Sequence, residues 1–356
     1  MAPPGPWLVA GVSRTGSTGG DNRAKHIFDA LTERTGARSL AAHGRRGVPR
    51  LAAAIAAESG GWRRPVQVAS AELLAEGALR LVRGPVEAAV LDVHDHPVLQ
   101  TDSLGVHLDP STRTRLDRLF DRNVAAFSRL VAPSASFAEL CALDADRVVV
   151  VANGTDTATI TQHPPVAAPV VGMASGAAPG RGIEQLVAAM AGVRAEVPEA
   201  TLRLALAASG PASRAYLDDL RADLTDPWVT VTEVPHTGLD AFLAETTVLA
   251  VPHPPGVYMD AAAPVKVFDA MASGRPLVVT PRFETRRIVE EAGAGAVAAG
   301  DEVEDLAAAI WELLRDDSRR LSQGDNARRA AVERYDWRNL SAQLADAVLG
   351  PQKASR

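Results

Sequence analysis

Two charged side chains, Lys266 and Asp269, stand in the stretch Pro264-Val265-Lys266-Val267-Phe268-Asp269-Ala270-Met271-Ala272-Ser273-Gly274-Arg275-Pro276 at a spacing that suggests chemistry. Three residues apart, they share one face of a helix. Pro264 suits the first helical turn, where its missing N–H would be unpaired anyway, Gly274 suits the C′ position, and Pro276 prevents continuation. The free N–H groups at the start of such a helix favour an anion, and Lys266 adds a full positive charge. The apolar run 248–251 ends just before the loop 253–263. That order puts the helix at the carboxyl edge of a parallel sheet, where ligands bind. A solvated Lys–Asp pair on an ordinary helix is the plainer reading and stands beside it.

Four other loops follow apolar runs. Gly172-Met173-Ala174-Ser175-Gly176-Ala177-Ala178-Pro179-Gly180-Arg181-Gly182 joins a strand to a helix. Its glycines let backbone N–H groups approach a phosphate, and Arg181 can grip one bidentately. Gly180-Arg181-Gly182 directly before a helix favours that reading over a solvated loop. Val151-Ala152-Asn153-Gly154-Thr155-Asp156 reads by itself as a turn. The run 88–93 ends in His94-Asp95-His96-Pro97, which brings titratable groups to a sheet's ligand edge. They suit orienting a hydroxyl or a sugar better than holding a metal, because adjacent residues converge poorly on one ion. Gly11-Val12-Ser13-Arg14-Thr15-Gly16-Ser17-Thr18 has P-loop spacing without the lysine, and Gly19-Gly20 delays the helix start. The looser reading is a glycine-rich loop that admits a ligand.

The elements that must position these loops alternate between strand and helix, the signature of βαβ units and parallel sheets. Strands are predicted over 7–12, 66–69, 88–93, 129–132 and 148–152, with helices over 23–35, 71–81, 113–126 and 136–143. A second series has strands over 170–172, 201–207, 229–233, 248–251 and 277–280. Its helices cover 182–196, 213–224, 239–245, the Lys266/Asp269 segment, 286–292 and 302–314, with a last helix over 341–349. Residues 161–169, with three prolines, read as a linker.

Bulk properties narrow the classes. The 356 residues are 47% hydrophobic and 22% charged, ordinary for a globular chain of two domains. Cys141 is the only cysteine, which excludes an intrachain disulfide and a cysteine-rich metal site. The N-terminus lacks the pattern of a signal peptide, and no run of eighteen apolar residues occurs, so a cytoplasmic protein without a membrane span is expected. Net charge is about neutral over 1–165 (+1) and negative beyond (−7), which argues against general nucleic-acid binding. The cluster His43, Arg45, Arg46, Arg50, Arg63 and Arg64 reads as a solvated face, with weak peripheral membrane contact or an anionic acceptor as the functional alternative.

Taken in order, these segments resemble retaining glycosyltransferases of family four (glycosyl transferases group 1). The likeness runs through Gly19-Gly20, the strand ending at His94-Asp95, Val131-Ala132-Pro133-Ser134 and 151–156. It continues through Gly180-Arg181-Gly182 and Pro264 to Pro276, and closes on Tyr335-Asp336-Trp337. The resemblance implies an α/β protein of GT-B architecture: two facing Rossmann-like domains with parallel sheets and an interdomain cleft. On that pattern, 1–160 is the acceptor domain, 161–169 the linker, 170–335 the nucleotide-sugar domain, and 336–356 a helix packing back on the first domain.

The activity implied is transfer of a sugar from a nucleotide-diphosphate donor to a hydroxyl of a small-molecule or glycan acceptor, with retention and without metal or other cofactor. Gly180, Arg181, Gly182 and Lys266 would hold the donor diphosphate, and His236, Asp260 and Asp269 the nucleotide or sugar. His94, Asp95 and Asp269 would act at the reacting centre, and Gly19, Gly20 and Asp21 would line the acceptor side. Two positions depart from the family pattern: Ala261 stands where a carboxylate is usual, and Met173 where an arginine is usual. They keep open a degenerate sugar-nucleotide-binding or partner-supporting protein. A sulfuryl or phosphoryl transferase built on Gly11–Thr18 is a more distant alternative.

Overall fold

The computed structural model describes residues 6–11, 19–42, 44–60, 65–82 and 86–350. The loop 12–18 and His43, Arg63 and Arg64 of the basic cluster lie outside them. The chain divides into two compact units: residues 1–102, 107–152 and 337–356 form one, and 103–106 with 153–336 form the other.

The first unit runs β1 (Trp7–Ala10), α1 (Gly19–Thr35), β2 (Arg38–Leu40), α2 (Gly44–Glu58), β3 (Val66–Ser70) and α3 (Ala75–Leu81). It continues through β4 (Val86–Asp92), α4 (Pro97–Ser103), α5 (Pro110–Ala126), β5 (Arg129–Ala132), α6 (Ala135–Leu140) and β6 (Val148–Val150). Its six strands are ordered β2-β1-β3-β4-β5-β6 and all pair in parallel. Central strands of such a sheet are covered on both faces, so they read as unbroken apolar runs; Trp7–Ala10 is buried throughout. Local chemistry starts the helices where the sequence changes character. Asp109 caps α5 by accepting from the Ser111 and Thr112 N–H groups, with Pro110 in the first turn, and Ser134 caps α6 through the Phe137 N–H at 3.0 Å.

The second unit runs β7 (Val170–Gly176), α7 (Ile183–Glu196), β8 (Thr201–Ala207), α8 (Pro211–Asp223), β9 (Val229–Glu233), α9 (Leu239–Ala244) and β10 (Val248–Val251). Then come α10 (Val257–Ala261), α11 (Val265–Ala272), β11 (Leu277–Val279), α12 (Phe283–Ala292), β12 (Gly295–Val297), α13 (Val303–Arg315) and α14 (Asp317–Arg334). The strand order is β12-β11-β10-β7-β8-β9, again all parallel. Winding runs outward from β7 in one direction, then returns to β10 and runs outward in the other. The switch point between β7 and β10 opens a crevice at their carboxyl ends. The core below it is aliphatic: Val171, Met173, Ile183, Leu186, Met190, Leu204, Val248, Leu306, Ile310 and Leu313 are all fully or almost fully buried. Met173 is therefore a core residue.

The last helix, α15 (Trp337–Leu349), belongs to the first unit. Trp337 stacks on His26 of α1 with ring centroids 5.4 Å apart, and Leu340 and Leu344 join the core of Val9, Ile27, Phe28 and Leu31. Arg34 Nη1 reaches Asp346 at 2.5 Å.

Two segments differ from the sequence expectation. The division between units falls after Ala152, and residues 161–169 lie with the second unit. Asp240 accepts from the Thr161 N–H at 2.8 Å and faces His163 Nε2 at 2.9 Å, while Arg275 donates to the Pro164 carbonyl at 2.9 Å. Elements β2, α2, α4, α10, β12 and α14 were not anticipated. The longest, α14, is mostly polar and buries only small residues, Gly324, Ala327, Ala330 and Ala331, so it lacks a strong apolar stripe. Among the described residues no helix is long and apolar enough to cross a membrane. Arg45, Arg46 and Arg50 are exposed on α2, whose Leu51, Ala54 and Ile55 face inward.

Candidate functional site

In the second unit the switch point brings four segments together. The first is the β7–α7 loop. Gly182 has φ +76°, and a Cβ there would lie 1.7 Å from the Pro252 carbonyl oxygen. Glycine is required by both backbone shape and contact, and this packing sets Arg181 beside the end of β10. The second segment is α11. Lys266, in its first turn, donates from Nζ to Ser175 Oγ near the end of β7 at 3.0 Å. Burial and then the Arg181 charge push the Lys266 pKa down to about 7, against the pull of Asp269.

His253 and Thr280 bring in the third and fourth segments. His253 lies two residues past β10 and is 1% exposed, and its carbonyl accepts from Thr280 Oγ1, just past β11, at 2.6 Å. Burial, reinforced by the charges of Lys266, Arg181 and Arg282, holds its imidazole neutral, with a pKa well below the usual histidine range. Arg282, at the start of α12, is itself buried and pairs with Asp260 at 3.3 Å and with Asp301.

Asp269 is buried on the same helix as Lys266 and accepts from Thr155 Oγ1 at 2.8 Å. Asn153 Nδ2 donates to the Ala263 carbonyl at 2.7 Å, bracing the turn into α11. The segment 151–156, read from sequence as a turn, thus supports the helix that carries Lys266. Asp260 sits in α10 with its carboxylate on Arg282, and Ala261 beside it is buried. His236 lies in a single 3-10 turn, His236–Gly238.

In the first unit, β4 ends in Asp92, whose carboxylate is fully buried and held by Arg23 of α1 through three contacts of 3.0–3.2 Å. His94 Nδ1 lies 3.4 Å from Asp92 Oδ2, and His94 Nε2 lies 3.8 Å from Asp95. Burial alone would lower the His94 pKa, but the Asp92 hydrogen bond and the charges of Asp95 and Asp92 raise it above the ordinary value. Asp92, itself held by Arg23, thereby orients His94 and favours its charged form, while the Arg23 charge opposes it. His96 packs its ring on Phe120 at 4.2 Å between centroids, a structural role. Gly19, Gly20 and Asp21 form the first turn of α1, the helix that carries Arg23. Among the described residues no group of three or more His, Cys, Asp or Glu side chains is arranged to hold a metal ion.

The structure therefore groups Arg181, Lys266 and Asp269 in one unit and His94 with Asp95 in the other. Sequence reasoning missed Ser175, His253, Thr280 and Arg282, and also Arg23 and Asp92. Asp92 had one signal, a carboxylate in an otherwise apolar run. His253 had another, its place at the carboxyl end of a central strand.

Residues 168–316 match the family described as Glycosyl transferases group 1. The matched residues lie within the second unit. The chain has the GT-B fold: it aligns with Anabaena Alr3699/HepE, solved in complex with UDP-glucose, at a TM-score of 0.71 and 17% identity, covering 96% of this chain and 98% of that one. Among curated proteins, a GDP-mannose-dependent alpha-(1-6)-phosphatidylinositol monomannoside mannosyltransferase of Mycolicibacterium smegmatis is 28% identical over 52% of this chain and 49% of its own length. An MMP alpha-(1->4)-mannosyltransferase of Mycolicibacterium hassiacum is 30% identical over 49% of this chain and 41% of its own length. The match thus spans about half the length of these relatives or less. Within the matched residues, the β7–α7 loop and the first turn of α11 are the segments in which Arg181 and Lys266 stand.

Proposed function

We propose that the chain transfers a sugar from a nucleotide-diphosphate donor to an acceptor hydroxyl, with the donor diphosphate held at the β7/β10 switch point. The observation that carries this reading is the convergence of Arg181 and Lys266 there, with Lys266 depressed to about 7 by burial and by Arg181. Two cations confined beside a helix N-terminus are stabilised when a dianion arrives between them. Asp269, on the same helix, is assigned to the nucleotide side. His94, oriented by Asp92 and with its pKa raised, is assigned to the sugar side.

In the reaction proposed, the bond between the anomeric carbon and the donor phosphate oxygen breaks, and its electron pair stays on the phosphate. The acceptor oxygen bonds to the anomeric carbon on the same face, and its proton passes to the departing phosphate, so configuration is retained and no metal is needed. Arg181 and Lys266 lower the barrier by stabilising the charge that develops on the leaving group. The relatives named for GDP-mannose make a GDP-sugar the first donor to test; the UDP-glucose complex of the structural neighbour makes UDP-sugars the second.

Incubation with GDP-, UDP- and dTDP-sugars and a panel of polyol and glycan acceptors, read by mass spectrometry, is expected to give a transferred or hydrolysed sugar. Neither product from any donor would contradict the reading. A second reading, a sugar-nucleotide binder without turnover, is favoured by Ala261 and by the engagement of neighbouring Asp260 with Arg282. Donor binding without turnover, with activity appearing only on addition of a second protein, would select it.

A further inference from the structure

Buried polar groups are almost always hydrogen-bonded, and those that are not point to something absent. His253 is such a group. Among the described residues, neither of its ring nitrogens has a hydrogen-bond partner, although the side chain is almost entirely buried. Its backbone is fixed: Thr280 holds its carbonyl, and the preceding Pro252 carbonyl lies against Gly182.

The surroundings define what would satisfy it. Three cations act on the imidazole, Lys266 from α11, Arg181 from the β7–α7 loop and Arg282 from α12. A fourth positive charge is unfavourable there, so the ring stays neutral and keeps one N–H donor and one acceptor nitrogen. Arg282 Nε is likewise buried without a partner among the described residues, although its other nitrogens engage Asp260 and Asp301. Unused N–H groups among three cations match a group that is anionic and rich in acceptor oxygens.

We propose that His253 is a binding residue for the donor diphosphate, giving its ring N–H to a phosphoryl oxygen held between Arg181 and Lys266. The assignment rests on the donor reading above and adds a neutral, uncharged donor to its two cations. Such a donor adds a directional contact beside the point charge of Lys266 and the guanidinium of Arg181.

Calorimetric titration of wild type, His253→Phe and His253→Asn with GDP, UDP, inorganic pyrophosphate, guanosine and uridine tests this. The phenyl ring keeps the volume and removes the donor; the asparagine keeps a donor. The expected result is a loss of about tenfold to a hundredfold in nucleoside diphosphate and pyrophosphate affinity for His253→Phe, little change for the nucleosides, and partial recovery in His253→Asn. A folded His253→Phe protein with wild-type diphosphate affinity overturns the assignment while leaving the donor reading intact. Failure of the wild type to bind any of the phosphates overturns both. If His253→Phe does not fold, ¹⁵N-histidine spectra of the wild type decide: the His253 ring signals must move when GDP or UDP saturates the protein, and unchanged signals overturn the assignment.

Discussion

Lys266 Nζ donates to Ser175 Oγ at 3.0 Å, which fastens the first turn of α11 to the end of β7 across the switch point of the second sheet. The ammonium is thereby held where burial and Arg181 disfavour its charge, and its pKa falls to about 7. An anion bound between Lys266 and Arg181 reverses that penalty, so binding of a nucleoside diphosphate at pH 8 is expected to take up a proton. Calorimetry in buffers of different ionisation enthalpy reads the uptake, and Lys266→Met should abolish it.

The same shift sets a stability slope. The folded pKa lies below the value of 10.5 expected for an unfolded lysine, so between about 7 and 10.5 the unfolded chain binds more protons. Stability of the ligand-free protein attributable to this group therefore rises with pH through that window, and is lowest below it. Lys266→Met should flatten the slope and melt a few degrees above the wild type at pH 6 in the absence of nucleotide. An equal or lower melting temperature would show that the charge is not penalised.

Gly182 gives a second test. With φ +76° and a Cβ position 1.7 Å from the Pro252 oxygen, Gly182→Ala must shift either the β7–α7 loop or the end of β10. Urea denaturation is expected to show a loss of roughly 2–4 kcal/mol. The displaced Arg181 should also weaken diphosphate binding in the protein that remains folded. Wild-type stability would mean that the loop does not pack on Pro252.

The buried Arg23–Asp92 pair makes an asymmetric prediction. Removing one partner strands a buried charge, so Arg23→Met should cost about 3–5 kcal/mol, and adding Asp92→Leu should restore much of it. His94 reports the same contact from the other side. Its NMR titration midpoint is expected above 6.5 in the wild type and lower in Asp92→Asn, because burial then acts with less opposition. With its folded pKa raised, the stability contributed by His94 is complete below about 6.5 and is lost as pH rises through the folded value.

Thr155→Val removes the hydroxyl that donates to Asp269 at 2.8 Å. The change keeps side-chain volume and takes one contact from a buried carboxylate, so a loss of about 1–3 kcal/mol is expected in thermal or urea unfolding. No change would mean that Asp269 does not depend on the 151–156 segment.

Much of the fold was legible because parallel strands buried on both faces leave unbroken apolar runs, as at Trp7–Ala10 and Val248–Val251, and because Gly and Pro punctuate the loops between them. Elements without such a signature escaped. The helix α14 buries alanines and a glycine behind a polar surface, and β12 is three residues long. Within the site, Arg181 and Lys266 were visible through glycine spacing and helix punctuation. Ser175, His253 and Arg282 were not, because they meet only when β7, β10 and β11 lie side by side, and nothing local links residue 175 to 253 or 282. Asn153 and Thr155 looked like a bare turn because their partners, Ala263 and Asp269, lie more than a hundred residues away in the chain.

The central claim is that the switch-point edge of the second unit grips a donor through its diphosphate. Calorimetric titration of wild type, Arg181→Ala and Lys266→Ala with GDP and UDP, set against guanosine and uridine, tests it most directly. Each variant is predicted to lose about tenfold or more in diphosphate affinity while nucleoside binding stays at the wild-type level. Equal losses for diphosphate and nucleoside, or unchanged diphosphate binding in both variants, would contradict it.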